Sequence, residues 1–199
     1  MKTKVLLIVM VLLGMMCSTN VSAQNLKQMK KDQKVLMKQV KKEARKQART
    51  LKKDGWKAAV GSAPMRTQLQ ELFLRERGGS NVGLKQYVIG KSEAISASYA
   101  EARKLAIARA KEELASALKT KVAALMSSST VNVQGNALDV QTDQRDESKA
   151  KQLVDQCLEE TEVVMELYRN VNQNTQFQIG VSYENSMAKN ILRQMTNQK

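Results

Sequence analysis

The sequence predicts an α+β fold: a small antiparallel sheet of about three strands with a long alanine-rich helix packed on it, preceded by a long basic N-terminal helix. Three observations carry this reading. Phe177, Ile179, Val181 and Tyr183 alternate with Gln178, Gly180 and Ser182, the period-two pattern of a strand with one buried face. Ser98 to Met126 holds nine alanines and neither Gly nor Pro, with Leu105, Leu114, Leu118, Val122 and Leu125 supplying bulk. Asn25 to Lys53 also lacks Gly and Pro and consists mainly of strong helix formers.

The first 23 residues read as a leader rather than as part of the fold. Lys2 and Lys4 form a positive end, Val5 to Leu13 is an unbroken apolar run, and Val21-Ser22-Ala23 places short residues before Gln24. These are the parts of a secretory signal peptide, and the run is too short for an anchor of about 20 residues. Cleavage after Ala23 is expected, giving an exported protein in the periplasm or at the outer membrane. Cys17 offers the competing start of a lipoprotein, but the bulky Met16 before it disfavours lipid attachment. The processed chain then keeps Cys157 alone, among Leu153, Val154 and Leu158, where it reads as a buried small hydrophobe.

The net charge of +14 is unevenly spread. Residues 24–57 hold 13 Lys and Arg against Asp32, Glu43 and Asp54, whereas residues 58–199 carry a net charge of only +2. The basicity therefore belongs to one helical arm, 24–57. Its apolar stripe is thin: Leu26, Met29, Leu36, Val40, Ala44, Ala48 and Leu51 fall near one face, with Gln33 interrupting. Gly55 is its natural left-handed terminator. Two readings of the arm stay open. One is a solvated face on a helix lying along its own domain. The other is contact with an anionic lipid surface, lipopolysaccharide or an acidic envelope protein, through Lys30, Lys31, Lys34, Lys38, Lys41, Lys42 and Arg45. Nucleic acid is not expected, because the arm lacks interleaved aromatics and export removes the chain from it. A thin stripe also implies that the remaining domain folds without the arm.

Residues 58–83 read as a short helix, from about Met65 to Arg77, and a Gly-rich linker. Trp56 to Val60 is a short extended piece ahead of it. The glycines at 78, 79 and 83 do not form a phosphate cradle, since no Lys-Ser/Thr pair follows. The domain proper is expected over 84–199. Lys85 to Ile95 is its first strand, and the alanine-rich helix follows, ending at Ser127–Thr130. Residues 131–144 read as loop and Asp146 to Leu158 as a further helix. Glu162 to Tyr168 and the alternating 177–183 segment form a hairpin with a loop of about five residues, and Ser186 to Gln194 is a closing helix.

No residue set points to catalysis. The chain has no histidine, which removes Ser-His and Cys-His pairs and the commonest zinc ligand. Glu159, Glu160 and Glu162 converge with nothing else in the sequence and read as charge guarding a strand edge. No cofactor and no metal are expected.

Gln86-Tyr87-Val88-Ile89-Gly90, the run Ala102, Ala106, Ala110, Glu113-Leu114-Ala115, then Val163 to Arg169 and Phe177 to Tyr183, resemble the Lpp-twenty-type lipoprotein domain. The resemblance covers roughly residues 84–195. It extends to the fold of the N-terminal domain of the flagellar outer T-ring protein. It implies a helix packed across a small antiparallel sheet, in a cell-envelope protein without catalysis or catalytic residues. The signal departs from that family in lacking a lipid-attachment motif. The function expected is that of an exported, non-enzymatic envelope protein that binds or scaffolds. A small-ligand-binding envelope domain is the alternative.

Overall fold

The structure is a computed structural model that describes residues 2–79, 84–130 and 140–185. The elements run α1 (Lys2–Lys53), β1 (Lys57–Ala58), α2 (Met65–Arg77), β2 (Tyr87–Ser96), α3 (Tyr99–Thr130), α4 (Val140–Glu159), β3 (Glu162–Val171) and β4 (Asn174–Glu184). The sheet is antiparallel and ordered β1-β3-β4-β2. The fold is α+β, with four strands instead of about three. The added strand is the short extended piece after Trp56, whose Lys57 and Ala58 pair with Tyr168 and Leu167.

Local chemistry sets the boundaries. Gly55 has φ 84°, and the Gly55 and Trp56 N–H groups donate to the Lys52 and Leu51 carbonyls, at 3.2 and 2.9 Å. This is a left-handed helix stop in which the apolar residue after the glycine folds back onto the last turn. Trp56 does so and is buried beside the partly buried Leu51. Pro64 opens α2, its carbonyl accepting from the Thr67 and Gln68 N–H groups. The β3–β4 turn is only two residues long, shorter than the loop expected from sequence, because Val171 pairs directly with Asn174. Asn172, at φ 55°, takes the left-handed conformation that such a tight turn needs. Helix α4 begins at Val140, inside the segment expected to be loop, and α3 runs through the serine run to Thr130. Residues 131–139 and the closing helix expected over 186–194 lie outside the described residues.

Each face of the sheet is covered. On one, Val88 and Ala94 of β2 and Phe177, Ile179, Val181 and Tyr183 of β4 meet Ala102, Ala106, Ala110, Leu114, Leu118 and Val122 of α3, and Leu153, Val154 and Cys157 of α4. Helix and strand approach closely here. A Cβ on Gly90 would lie 2.1 Å from the Ala110 carbonyl and 2.7 Å from the Leu114 nitrogen. The three alanines, none of them exposed at all, and the missing side chain at Gly90 are one device. It also brings the Ser92 hydroxyl to donate to the Ala106 carbonyl at 2.5 Å, and the Lys91 N–H to the Glu113 carboxylate at 2.8 Å.

The other face is built around β3. A bulge between Val163 and Met165 changes the strand's phase, so that both Val164 and Met165 are buried with Leu167 against α2. Leu69, Leu72, Phe73 and Met65 of α2 fill the layer, and Val40, Ala44 and Ala48 of α1 close it from outside. Buried Gln68 is satisfied on both sides. Its amide donates to the Ser62 hydroxyl and the Ala63 carbonyl, while its oxygen accepts from the Glu166 N–H at 2.6 Å.

This second cluster corrects two expectations. The stretch expected to link arm and domain carries a strand of the sheet and the helix that covers its second face. The arm is not an appendage over its C-terminal half either, because Val40 and Ala44 have no exposure and Ala48 has 5%. Small side chains bury little area each, which is why the stripe looks thin in sequence. They allow close helix–helix packing all the same.

Gly90→Ala should therefore destabilise the fold by about 3 kcal/mol or more, since neither backbone can yield without disturbing the layer. Urea unfolding measures this. An unchanged midpoint would show that α3 does not lie as close to β2 as described.

Candidate functional site

The residues expected to meet an anionic surface are placed by the docking of α1. With Val40, Ala44 and Ala48 turned inward, the rotation of the helix about its axis is fixed. At about 100° per residue, Lys27, Lys31, Lys34, Lys38, Lys42, Arg45, Arg49 and Lys52 then share one outer side of the helix, with Val35, Lys46 and Lys53 next to them, directly opposite the buried stripe. All are exposed. Lys30 and Lys41 lie at the border of this face with the apolar stripe, and Gln28, Asp32, Gln39 and Glu43 lie on the far flank. From Lys27 to Lys52 the line runs about 38 Å, at 1.5 Å per residue.

The structure thus brings Lys30, Lys31, Lys34, Lys38, Lys41, Lys42 and Arg45 together along one side of one helix. The same face continues through Arg49 and Lys52, which sequence reasoning left out of the site. The signal was present in the three- and four-residue steps, but choosing a face required knowing which stripe is buried.

What distinguishes these cations is that so many gather on one helix without a carboxylate partner. Elsewhere five cations are matched. Arg75 of α2, only 11% exposed, donates to Glu71 at 2.9 Å, to Glu162 at 2.7 Å and to the Ser182 hydroxyl at 2.5 Å, and lies over the Tyr87 ring. Arg77 grips Glu43 with both guanidinium ends, at 2.6 and 2.7 Å, holding that carboxyl below the usual carboxylate range. Lys85 pairs with Glu184, Lys91 with Glu76 and Arg103 with Glu166. Among the described residues, no Lys or Arg between Lys27 and Lys53 forms such a pair. Glu43, the acid best placed to serve α1, is taken by Arg77 of α2.

The remaining features are weaker sites. Glu162 is engaged by Arg75, and Glu159 and Glu160 are exposed. Among the described residues no group of three His, Cys, Asp or Glu side chains is placed to hold a metal ion. An open cleft of about 570 Å³ lies between Val60 and the start of α3, lined by Tyr99, Ala100, Arg103, Lys104 and Ile107. The Tyr99 ring that lines it meets Tyr168 and Phe177 edge-on. The Arg103 guanidinium there is committed to Glu166.

Cys157 is fully buried beside the Tyr183 hydroxyl, which finds no hydrogen-bond partner other than that thiol among the described residues. Burial pushes the pKa of both groups up. The unfolded chain releases these protons more readily than the folded one. Stability should therefore be unaffected by them at neutral pH and fall as pH rises past about 8.5, where an unfolded thiol ionises. Denaturant midpoints between pH 8 and 10 test this, and Cys157→Ala should flatten the decline. In a Cys17→Ser chain a thiol reagent at pH 8 should react only on unfolding. Rapid labelling of the folded chain would contradict this burial.

No family model matches this chain, and comparison with curated proteins finds no match, so the functional reading rests on the cationic face itself.

Proposed function

We propose that this is an exported, non-enzymatic cell-envelope protein that binds or scaffolds, docking on an anionic surface through the outer face of α1. The observation that supports this most is the row of Lys and Arg from Lys27 to Lys52, gathered along one side of one helix with no carboxylate partner among the described residues. A protein gains nothing in stability from eight like charges along one side of a helix. Their mutual repulsion costs free energy, which an anionic partner offsets.

The chemistry of the partner is that of phosphate-rich lipid, whether phospholipid or lipopolysaccharide. A straight row about 38 Å long meets a flat surface over its whole length. The leader-like sequence of residues 1–23 is in keeping with such a location, as is the resemblance to the Lpp-twenty-type domain. Among the described residues no helix is long and apolar enough to cross a membrane. Attachment would then be peripheral. The alternative, a small-ligand domain using the cleft at Tyr99, is less well supported because Arg103, its strongest polar group, is already paired with Glu166.

The test is co-sedimentation with vesicles. Binding to anionic vesicles should be strong at low salt and weaken as the Debye length falls from about 30 Å at 0.01 M to about 8 Å at 0.15 M. Each lysine near such a surface contributes roughly 1 kcal/mol. Replacing Lys30, Lys31, Lys34 and Lys38 by Gln should weaken binding by a factor on the order of 100 or more, with the thermal midpoint unchanged. Equal binding by the four-fold variant, or indifference to salt, would return the helix to a merely solvated face.

A further inference from the structure

The half of α1 seated on α2, from Val40 onward, carries its charge differently from the half ahead of it. On a helix, side chains four residues apart line up in ridges, with shallow grooves between neighbouring rows. Lys42, Lys46 and Thr50 form one such ridge, and Arg45, Arg49 and Lys53 form the next. All six are exposed, and an open furrow of about 530 Å³ lies between the two ridges. Among the described residues no carboxylate pairs with any of its five cations.

Place and composition both set this furrow apart. At about 100° per residue, Lys42, Lys46, Arg49 and Lys53 fall within about 40° of the line directly opposite the buried Val40, Ala44 and Ala48. Followed toward the N-terminus, the same groove passes Lys38 and Lys41, then Lys34 and Met37, then Lys30 and Gln33, and winds round toward the domain side. It faces outward only over residues 42–53. Arg45 and Arg49 are also the only arginines between Gln24 and Lys53, where every other cation is lysine.

The two kinds of cation make different contacts. Lysine is a point charge on a flexible stem, whereas arginine presents a planar fork that takes two phosphate oxygens at once. Residues four apart on a helix have Cβ atoms about 5–6 Å apart, so both forks reach a single phosphate, with Lys46 across the furrow. A phosphodiester headgroup has two free oxygens and one charge, which one fork satisfies. A phosphomonoester has three free oxygens and a charge of about −1.5 to −2 at pH 7, enough to engage both. Holding the forks on a packed helix lowers the cost of ordering them.

We infer that Lys42, Arg45, Lys46, Arg49 and Lys53 form a clamp for phosphomonoester groups displayed on a membrane surface. The lysines ahead of it add attraction without choosing the headgroup. This rests on the cationic-face reading above and names the headgroup chemistry. A membrane is the occupant because the furrow is open and lies on the outermost line of the helix, with α2 and the sheet on the opposite side. A flat surface laid along the row from Lys27 to Lys52 therefore meets the furrow without meeting the domain.

Phosphatidylcholine vesicles containing either phosphatidate, a monoester, or phosphatidylglycerol, a diester, make the test when matched for zeta potential. The chain beginning at Gln24 serves, because every buried side chain among the described residues lies at or beyond Val40. In co-sedimentation at low salt it should bind the phosphatidate vesicles more tightly by about tenfold or more. Arg45→Lys with Arg49→Lys keeps every charge and should abolish that preference, leaving binding to phosphatidylglycerol as in the parent. Lys31→Gln with Lys38→Gln should weaken binding to both vesicles alike and keep the preference. Equal binding of the parent to the two vesicles, or a preference that survives the arginine exchange, would overturn the clamp and leave the cationic contact standing. No binding to either vesicle would remove both readings. Glycerol phosphate at millimolar concentration and constant ionic strength should not release the protein. Release by it would overturn the membrane as occupant and assign the furrow to a soluble phosphate ester.

Discussion

Everything proposed for this protein depends on three small side chains, Val40, Ala44 and Ala48, seated against α2. They fix the rotation of the helix about its axis. Two further contacts hold the same setting. Arg77 of α2 grips Glu43, and Arg169 of β3 lies over the Trp56 ring and donates to the Asp54 carbonyl at the end of α1. Once the roll is fixed, the direction of the cationic face follows from helix geometry alone. The pairing of Glu43 with Arg77 also removes an acid that would otherwise have neutralised part of that face.

The seat itself depends on the sheet. Helix α2 lies where it does because the β3 bulge turns Val164 and Met165 to the same side, with Leu72 reaching the backbone of Gly180. On the opposite side α3 comes close enough to touch β2 through the gap at Gly90. The edge of β2 is then closed by groups from α3. Glu113 accepts from the Lys91 N–H, and Arg109 donates to the Glu93 carbonyl. A strand edge capped in this way offers fewer free backbone groups to another chain.

Much of this was legible in the sequence, for identifiable reasons. Strict alternation at Phe177 to Tyr183 marked β4, the alanines at 102, 106 and 110 marked the close face of α3, and Gly55 marked the end of α1. What was not legible depended on tertiary contact. Alanine has so little apolar surface that Ala44 and Ala48 do not announce burial, so the arm read as separable. A two-residue strand such as Lys57–Ala58 exists only because Tyr168 and Leu167 pair with it. The bulge at Val163–Met165 leaves no mark in a run of apolar residues that reads equally well in either phase. The lysines of the candidate surface were visible from composition, whereas their lack of partners needed the positions of Glu43, Glu71, Glu76 and Glu166.

Hydrogen exchange along α1, followed in water and then with anionic vesicles, tests the central claim most directly. In water the amides of residues 40–51 should be protected as strongly as those of β4, and those of 25–35 should exchange faster. Vesicles should slow exchange over 25–35 and leave 40–51 unchanged. Fast exchange along the whole of α1 in water would show that the helix is not seated on α2. Protection by vesicles that fell on the sheet and spared α1 would show that the cationic face is not the surface this protein uses.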